Sequence, residues 1–319
     1  MDESIRDARE LANAPDGILD RRDSLVQTAL VEKEGRELRL KLLSPLSDEW
    51  QSRIDLDRPD ELQPPYMQAM MLALLWNDRP ARVHVLGLGG GCIPRFLRRL
   101  DPALHIDCTE IDPAVVEFAR TYFGFREDSR LRVLVQDGRE YLAGRTGDEP
   151  YDVIFLDAFR GVGFAPLRLS TREFLRACRS QIRPGGVLVA NVMLRGGLLQ
   201  ERLATLADVF PCLRVHEGAG ALVVFASDAS RRTRREQRSA AAALAGRLRL
   251  QDNLPRMAVR LRGPGRWLAR CGGRMPAVLT DGMPSRDIPV RAELLRGISP
   301  DAGCPCGSGE RFSACHGAA

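Results

Sequence analysis

Four apolar runs of strand length between residues 83 and 157 each end on a glycine or a carboxylate, a spacing that restricts the chain to an open α/β sheet with its ligand along one edge. Val83-His84-Val85-Leu86 runs into Gly87-Leu88-Gly89-Gly90-Gly91 and then into a helical stretch at 93–100, which describes a strand, a tight turn and a helix. Glycine is required there because a side chain would hold the backbone away from a ligand. The run 105–110 is a second strand, and it delivers Glu110 23 residues after Gly87, close to the ~20-residue offset of an acid that binds ribose hydroxyls. Asp112-Pro113 then opens a helix with an N-cap acceptor ahead of a proline. A third strand at 131–136 leads to Asp137 and Gly138, where the carboxylate is suited to accept the exocyclic amine of adenine. The fourth strand, 151–156, apolar apart from Asp152, leads to Asp157.

A glycine loop alone does not select a ligand, because such turns also close ordinary strands and serve nicotinamide-dependent dehydrogenases. The three ordered acids add the selectivity. After them the pattern continues with a helix at 171–181, a strand at 186–192, a helix near 198–207 and a strand pair around 213–216 and 221–226, giving seven strands. His84 and His105 fall inside strand patterns and are expected to be structural. No internal repeat is present.

These residues resemble the spermidine synthase family of polyamine aminopropyltransferases. The likeness is carried by the glycine turn from Gly87, Glu110-Ile111-Asp112-Pro113, Asp137-Gly138-Arg139-Glu140-Tyr141, Tyr151-Asp152-Val153-Ile154 and Arg183-Pro184-Gly185-Gly186-Val187-Leu188. The resemblance implies a Rossmann-like class I methyltransferase sheet over residues 66–228. It also implies a small N-terminal β region within 1–65, read at 25–43 with a turn near Glu34-Gly35. Gln51 and Tyr66 fall where the family has a ligand-contacting glutamine and tyrosine.

The implied co-substrate is adenosylmethionine or its decarboxylated form, bound by Gln51, Gly87, Gly89, Gly90, Gly91, Glu110, Asp137 and Gly138. Asp157 and Tyr66 would receive an amine, which attacks the carbon beside the sulfonium while methylthioadenosine leaves. An amine with a solution pKa near ~10 is protonated at neutral pH, so a carboxylate must be placed to take its proton.

Three positions depart from the family pattern. Cys92 stands where the family has an aspartate after the glycines. Asp157-Ala158-Phe159-Arg160-Gly161 puts an arginine where a second aspartate would anchor a diamine, and Tyr66 is followed by Met67 and Gln68 rather than by a further acid. Two like charges ~5 Å apart oppose each other by about 3 kcal/mol at an effective dielectric near ~20, roughly a hundredfold in affinity. Arg160 therefore either faces solvent or binds a carboxylate, on an acidic acceptor or on intact adenosylmethionine. Methyl transfer is the alternative activity, and a catalytically silent nucleotide-binding adaptor is a third reading.

At the C-terminus Cys304, Cys306, Cys315 and His316 supply three thiols and an imidazole within thirteen residues, a donor set suited to tetrahedral zinc. The spacing resembles the SEC-C motif, assigned to 301–319, with Phe312 over the knuckle. With all four ligands from protein the zinc would be structural, the alternative being a disordered tail.

The net charge of +5 is concentrated. Residues 231–274 hold thirteen arginines against Glu236 and Asp252, a local charge of +11, leaving about −6 for the remainder. Region 229–300 is thus expected to be an arginine-rich linker with a solvated basic helix, or else a contact for nucleic acid or an acidic protein. Aromatic interleaving for base stacking is missing, with Trp267 alone. The scattered Cys92, Cys108, Cys178, Cys212 and Cys271 describe no disulfide framework, and the charged N-terminus describes no signal peptide. The stretch 67–76 is too short to span a bilayer and reads as an amphipathic helix before the first strand. A cytoplasmic enzyme without a membrane partner, with a homodimer as one assembly option, is the expectation.

Overall fold

The computed structural model describes residues 8–24, 27–43, 50–159, 165–194, 198–218, 220–228, 233–250, 254–269, 275–283, 297–302, 304, 310–315 and 317. Helix α1 (Ala8–Asn13) precedes four antiparallel strands in sequential order, β1 (Gly17–Asp23), β2 (Thr28–Glu34), β3 (Glu37–Leu43) and β4 (Trp50–Asp55). In β3 Leu38, Leu40 and Leu42 are buried while Glu37, Arg39 and Lys41 point away, the two-residue alternation of a sheet covered on one face. The β2–β3 turn falls at Gly35, at φ +58°. This sheet is larger than the 25–43 region expected from sequence, because β1 and β4 flank it.

Helix α2 (Pro65–Met70) continues into a 3-10 turn, Met71–Leu75, and every residue from Met67 to Leu75 is buried. The expected amphipathic helix is corrected: the segment is buried all round, with β9 and β11 of the second sheet on one side and α8 on the other.

The second sheet is built from β5 (Arg82–Leu86), α3 (Cys92–Leu100), β6 (His105–Glu110), α4 (Pro113–Thr121), β7 (Leu131–Val135), α5 (Gly138–Gly144), β8 (Tyr151–Leu156), α6 (Arg172–Ser180), β9 (Ile182–Met193), α7 (Leu199–Val209), β10 (Cys212–Glu217) and β11 (Ala221–Ser227). Its order is β10-β11-β9-β8-β5-β6-β7, with β11 antiparallel to both β10 and β9 and the other pairings parallel. The chain steps from β5 to β6 on one side and returns to β8 on the other, so the crevice for a ligand opens at the carboxyl ends of β5, β6 and β8. All six residues of β8 are buried, as a central parallel strand covered on both faces requires.

Helix α8 (Arg234–Leu248) begins with a capping box between Thr233 and Glu236. It buries Ala241, Leu244 and Leu248 against the core, and packs beside α9 (Leu254–Val259) and the 71–75 turn. Trp267, in α10 (Gly265–Leu268), is 1% exposed and lies with Leu206, Val209 and Leu213 in the core behind the sheet. The basic segment is thus partly a layer of the fold: the expected basic helix is present with Arg235, Arg238 and Arg247 exposed, while Ala241, Leu244 and Leu248 are buried. No helix of the described residues is long and apolar enough to cross a membrane.

The amino end of the sheet is fastened by Asp152, 1% exposed at the start of β8. It accepts hydrogen bonds from Asn77 Nδ2 (2.7 Å) and from the backbone N–H groups of Ala81 (2.7 Å) and Arg82 (2.9 Å), and Arg183 Nε lies 3.2 Å away. Truncating it strands three donors at the end of the sheet, while the part-exposed Arg183 keeps its bond to the Pro150 carbonyl. Asp152→Ala is expected to lose about 3–5 kcal/mol in denaturant-induced unfolding, and Asp152→Asn, which keeps an acceptor, clearly less; equal losses for the two would contradict this account.

Candidate active site

The glycine turn after β5 is shaped by what lies against it. At Gly87, with φ +90°, a Cβ would sit 2.4 Å from the carbonyl oxygen of Asp157, so any side chain would push β5 and β8 apart at their carboxyl ends. At Gly89, φ +53°, a Cβ would meet Ser52 Oγ at 2.5 Å. That hydroxyl accepts the Gly90 N–H at 2.9 Å, so β4 of the N-terminal sheet pins the turn. Gly91 packs against Phe125 at the start of α3. Gly90 and Gly91 therefore shape the turn, whereas Gly87 and Gly89 line a cavity of about 1020 Å³.

The same cavity is lined by Gln51, Tyr66, Glu110, Asp137, Gly138 and Asp157, so the structure brings together residues from five separate stretches of sequence. Its size suits a nucleoside-sized ligand with an acceptor beside it. Glu110 is oriented by the backbone: Oε2 accepts the Leu88 N–H (2.9 Å) and Oε1 the Asp112 N–H (3.1 Å). Burial nevertheless raises its pKa, the two backbone bonds opposing that rise. Asp112 is the cap expected from sequence, taking the Ala114 N–H at 3.0 Å, and its other oxygen accepts from Ser24 and Gln27. Asp137 caps α5 through the Arg139 N–H (2.8 Å) and faces Arg168 Nη1 at 2.7 Å.

Asp157 lies at the inner end. Its Oδ2 accepts from the Tyr66 hydroxyl at 3.3 Å and its Oδ1 from Asn191 Nδ2 at 3.0 Å. Burial pushes its pKa up to about 6, partly offset by those two bonds, and the same burial holds the Tyr66 phenol well above its ordinary range. Cys92, the first residue of α3, is buried, and its thiol is pushed up to about 11, so the position is neutral. Arg160 lies outside the described residues.

Sequence reasoning missed Gln27, Ser52, Arg168 and Asn191. Gln27 lines the cavity and its Oε1 has no partner. Asn191 sits mid-strand in β9, where the sequence signal is a polar amide inside an otherwise apolar run. His84 is structural: it is fully buried beside Tyr141 and Tyr151, and burial lowers it to about 3.

At the C-terminus Cys304 and Cys315 are both buried in one apolar cluster with Leu167, Leu198 and Leu279, and Phe312 packs against it. Backbone bonds from Cys304 N to Glu310 O (2.8 Å) and from Phe312 N to Ala302 O (2.7 Å) fold the two halves of the segment together. Cys306 and His316 lie outside the described residues, and no metal-ligand cluster is found among the described ones.

Residues 66–215 match the spermine/spermidine synthase domain model and residues 302–318 the SEC-C motif. A polyamine aminopropyltransferase of Vibrio vulnificus is 41% identical over 148 residues, which is 46% of this chain and 49% of the relative, so the match spans about half of that protein's length. Among solved structures, human methyltransferase-like protein 13 in complex with SAH is 31% identical, with 59% of this chain and 94% of that chain covered at a TM-score of 0.54. A probable spermidine synthase from Corynebacterium glutamicum, 20% identical, covers 85% of this chain and 98% of its own at a TM-score of 0.67, a likeness of fold. On these matches and this site, residues 66–215 form a spermine/spermidine synthase domain on the class I methyltransferase fold, and the chain carries a SEC-C motif at residues 302–318.

Proposed function

We propose that this protein transfers an aminopropyl group from decarboxylated adenosylmethionine to an amine. The observation that carries the proposal is Asp157, a carboxylate with its pKa raised to about 6, held by Tyr66 and Asn191 at the inner end of a cavity whose other acids suit an adenosyl group. In this reading Glu110 receives the ribose hydroxyls on the lone pairs that its two backbone bonds leave free, and Asp137 accepts the adenine amine once Arg168 swings aside. Gly87, Gly89 and Gly138 let the ligand approach the backbone, and Gln51 contacts it from the N-terminal sheet. The amine nitrogen attacks the methylene carbon, the carbon–sulfur bond breaks to release methylthioadenosine, and the nitrogen's surplus proton passes to Asp157. A carboxylate with a raised pKa is a better proton acceptor than an ordinary one while still ionised above pH ~6. Alignment supplies much of the remaining rate, because the sulfonium is already an electrophile.

Methyl transfer from intact adenosylmethionine is the second reading, favoured by Cys92. A neutral, buried thiol there gives the donor's amino group no countercharge, which removes one reason to prefer the decarboxylated donor. Mass spectrometry of products after incubation with each donor and a panel of amines separates the two. Methylthioadenosine is expected; adenosylhomocysteine would move the activity to methyl transfer, and neither product would sink both.

We also infer a structural zinc on Cys304, Cys306, Cys315 and His316. Two of these thiols already share one buried cluster, and a site closed by four protein ligands leaves no position for catalysis.

Three outcomes follow. Asp157→Asn is expected to lower kcat by about a hundredfold or more. Folded wild type carries a buried ionised carboxylate above pH ~6 that the unfolded chain solvates, and this cost fades as pH falls towards the ordinary carboxylate value. The variant should accordingly have a higher Tm than wild type at pH 8 and converge with it near pH 4; a Tm loss at pH 8 would contradict the burial argument. The acid limb of kcat/KM should fall about tenfold per pH unit below pH ~6, and a limb near pH ~4 would remove Asp157 from the role. Elemental analysis should find one zinc per chain, chelation should lower Tm by several degrees, and a metal-free chain with unchanged Tm would exclude the zinc.

A further inference from the structure

A second, much narrower pocket adjoins the main cavity, lined from β8, β9, α6 and α7. The two share Ala158 and Leu169 as walls, so the inner chamber opens off the end of the site occupied by Asp157. Its lining is apolar, with Leu156, Leu175 and Leu206, apart from Ser170, Asn191 and Arg202.

Arg202, on α7, is the only ionisable group among the described residues lining this chamber. Its guanidinium donates to the Ala165 carbonyl at 2.5 Å and makes no ion pair with any described carboxylate. Burial without a countercharge pulls its pKa to about 10, so it remains a cation at neutral pH. The contrast with the rest of the chain is sharp: Arg139, Arg172, Arg179 and Arg183 nearby each meet an aspartate. Asn191 supplies the second mismatch. Its Nδ2 donates to Asp157, but its Oδ1 is buried without a partner.

A cation lacking an anion and an acceptor lacking a donor, in one pocket whose Asn191 is bonded to the proton-accepting carboxylate, describe the complement of a zwitterion. We propose that the acceptor is a primary amine that also carries a carboxylate, with its nitrogen at Asp157 and Asn191 Oδ1 and its carboxylate on Arg202. This rests on the reading of Asp157 as the amine site and narrows its substrate class. A plain diamine would put a second ammonium, or nothing, where Arg202 waits. The planar guanidinium holds a carboxylate through two parallel N–H bonds, and a charged hydrogen bond of this kind is worth about tenfold to a hundredfold in affinity.

Ornithine with putrescine, and lysine with cadaverine, are pairs that differ by one carboxylate. With the full-length zinc-loaded protein, kcat/KM is measured for each amine with each sulfonium donor. In parallel, binding of each amine to the protein saturated with methylthioadenosine is followed by calorimetry. Wild type should favour the carboxylated member of at least one pair tenfold or more, chiefly through KM. Arg202→Gln should collapse that ratio to about one, and Arg202→Lys, which keeps the charge and guards against a folding defect, should retain part of it. Equal or inverse preference in wild type, or a ratio untouched in Arg202→Gln, would overturn the proposal. Should no amine turn over with either donor, the transfer reading fails, and the calorimetric ratio still decides whether Arg202 selects a carboxylate.

Discussion

The whole site depends on the contact between the glycine turn after β5 and the carboxyl end of β8. Gly87 lies against the Asp157 carbonyl with no room for a Cβ, the Asp157 N–H donates to Leu86 O at 3.0 Å, and the Gly87 N–H donates to Thr109 O at 2.9 Å. These bonds carry the sheet ladder to the point where β5, β6 and β8 diverge around the crevice. Glu110 and Asp157 then stand at the ends of the strands on either side of the turn. A nucleoside held between the turn and Glu110 would present its reactive carbon towards Asp157, which is why this single close approach governs both binding and chemistry.

The parallel sheet was legible in the sequence because its buried strands are largely apolar runs, and because Glu110, Asp137 and Asp157 stand at or just past the ends of strands. The same physics explains the misses. β1 (GILDRRD) has Ile18 61% exposed and carries four consecutive charges from Asp20 to Asp23, and β4 (WQSRID) is also polar, so neither edge strand has an apolar signature. The 67–75 segment is apolar on all sides, and a helix buried all round carries no amphipathic period. In α8 four arginines and five alanines mask the short stripe of Ala241, Leu244 and Leu248, spaced three and four apart, that does the packing. Asn191 and Gln27 are single amides, and one amide in a strand or a loop gives no pattern to detect.

The C-terminal segment is joined to the site wall. Asp281 forms a bidentate pair with Arg139, two residues after Asp137, with one of the two contacts at 2.9 Å. Arg139 also donates to the Arg168 carbonyl at 2.6 Å, and the Arg168 side chain lies across Asp137. Leu279 takes the Arg172 N–H and packs with Leu167, Cys304 and Cys315. Leu167–Leu169 is the short 3-10 turn whose neighbours Pro166, Arg168 and Leu169 line the main cavity. Cys304 and Cys315 therefore pack beside the outer wall of the cavity.

The most direct test of an adenosyl site beside Asp157 is calorimetric titration of the zinc-loaded protein with methylthioadenosine. The account gives one saturable site per chain, with affinity lost by at least tenfold in Glu110→Gln, whose amide repels the ribose hydroxyl donors that a carboxylate accepts. Absence of binding to the wild-type protein, or affinity indifferent to Glu110, would contradict it.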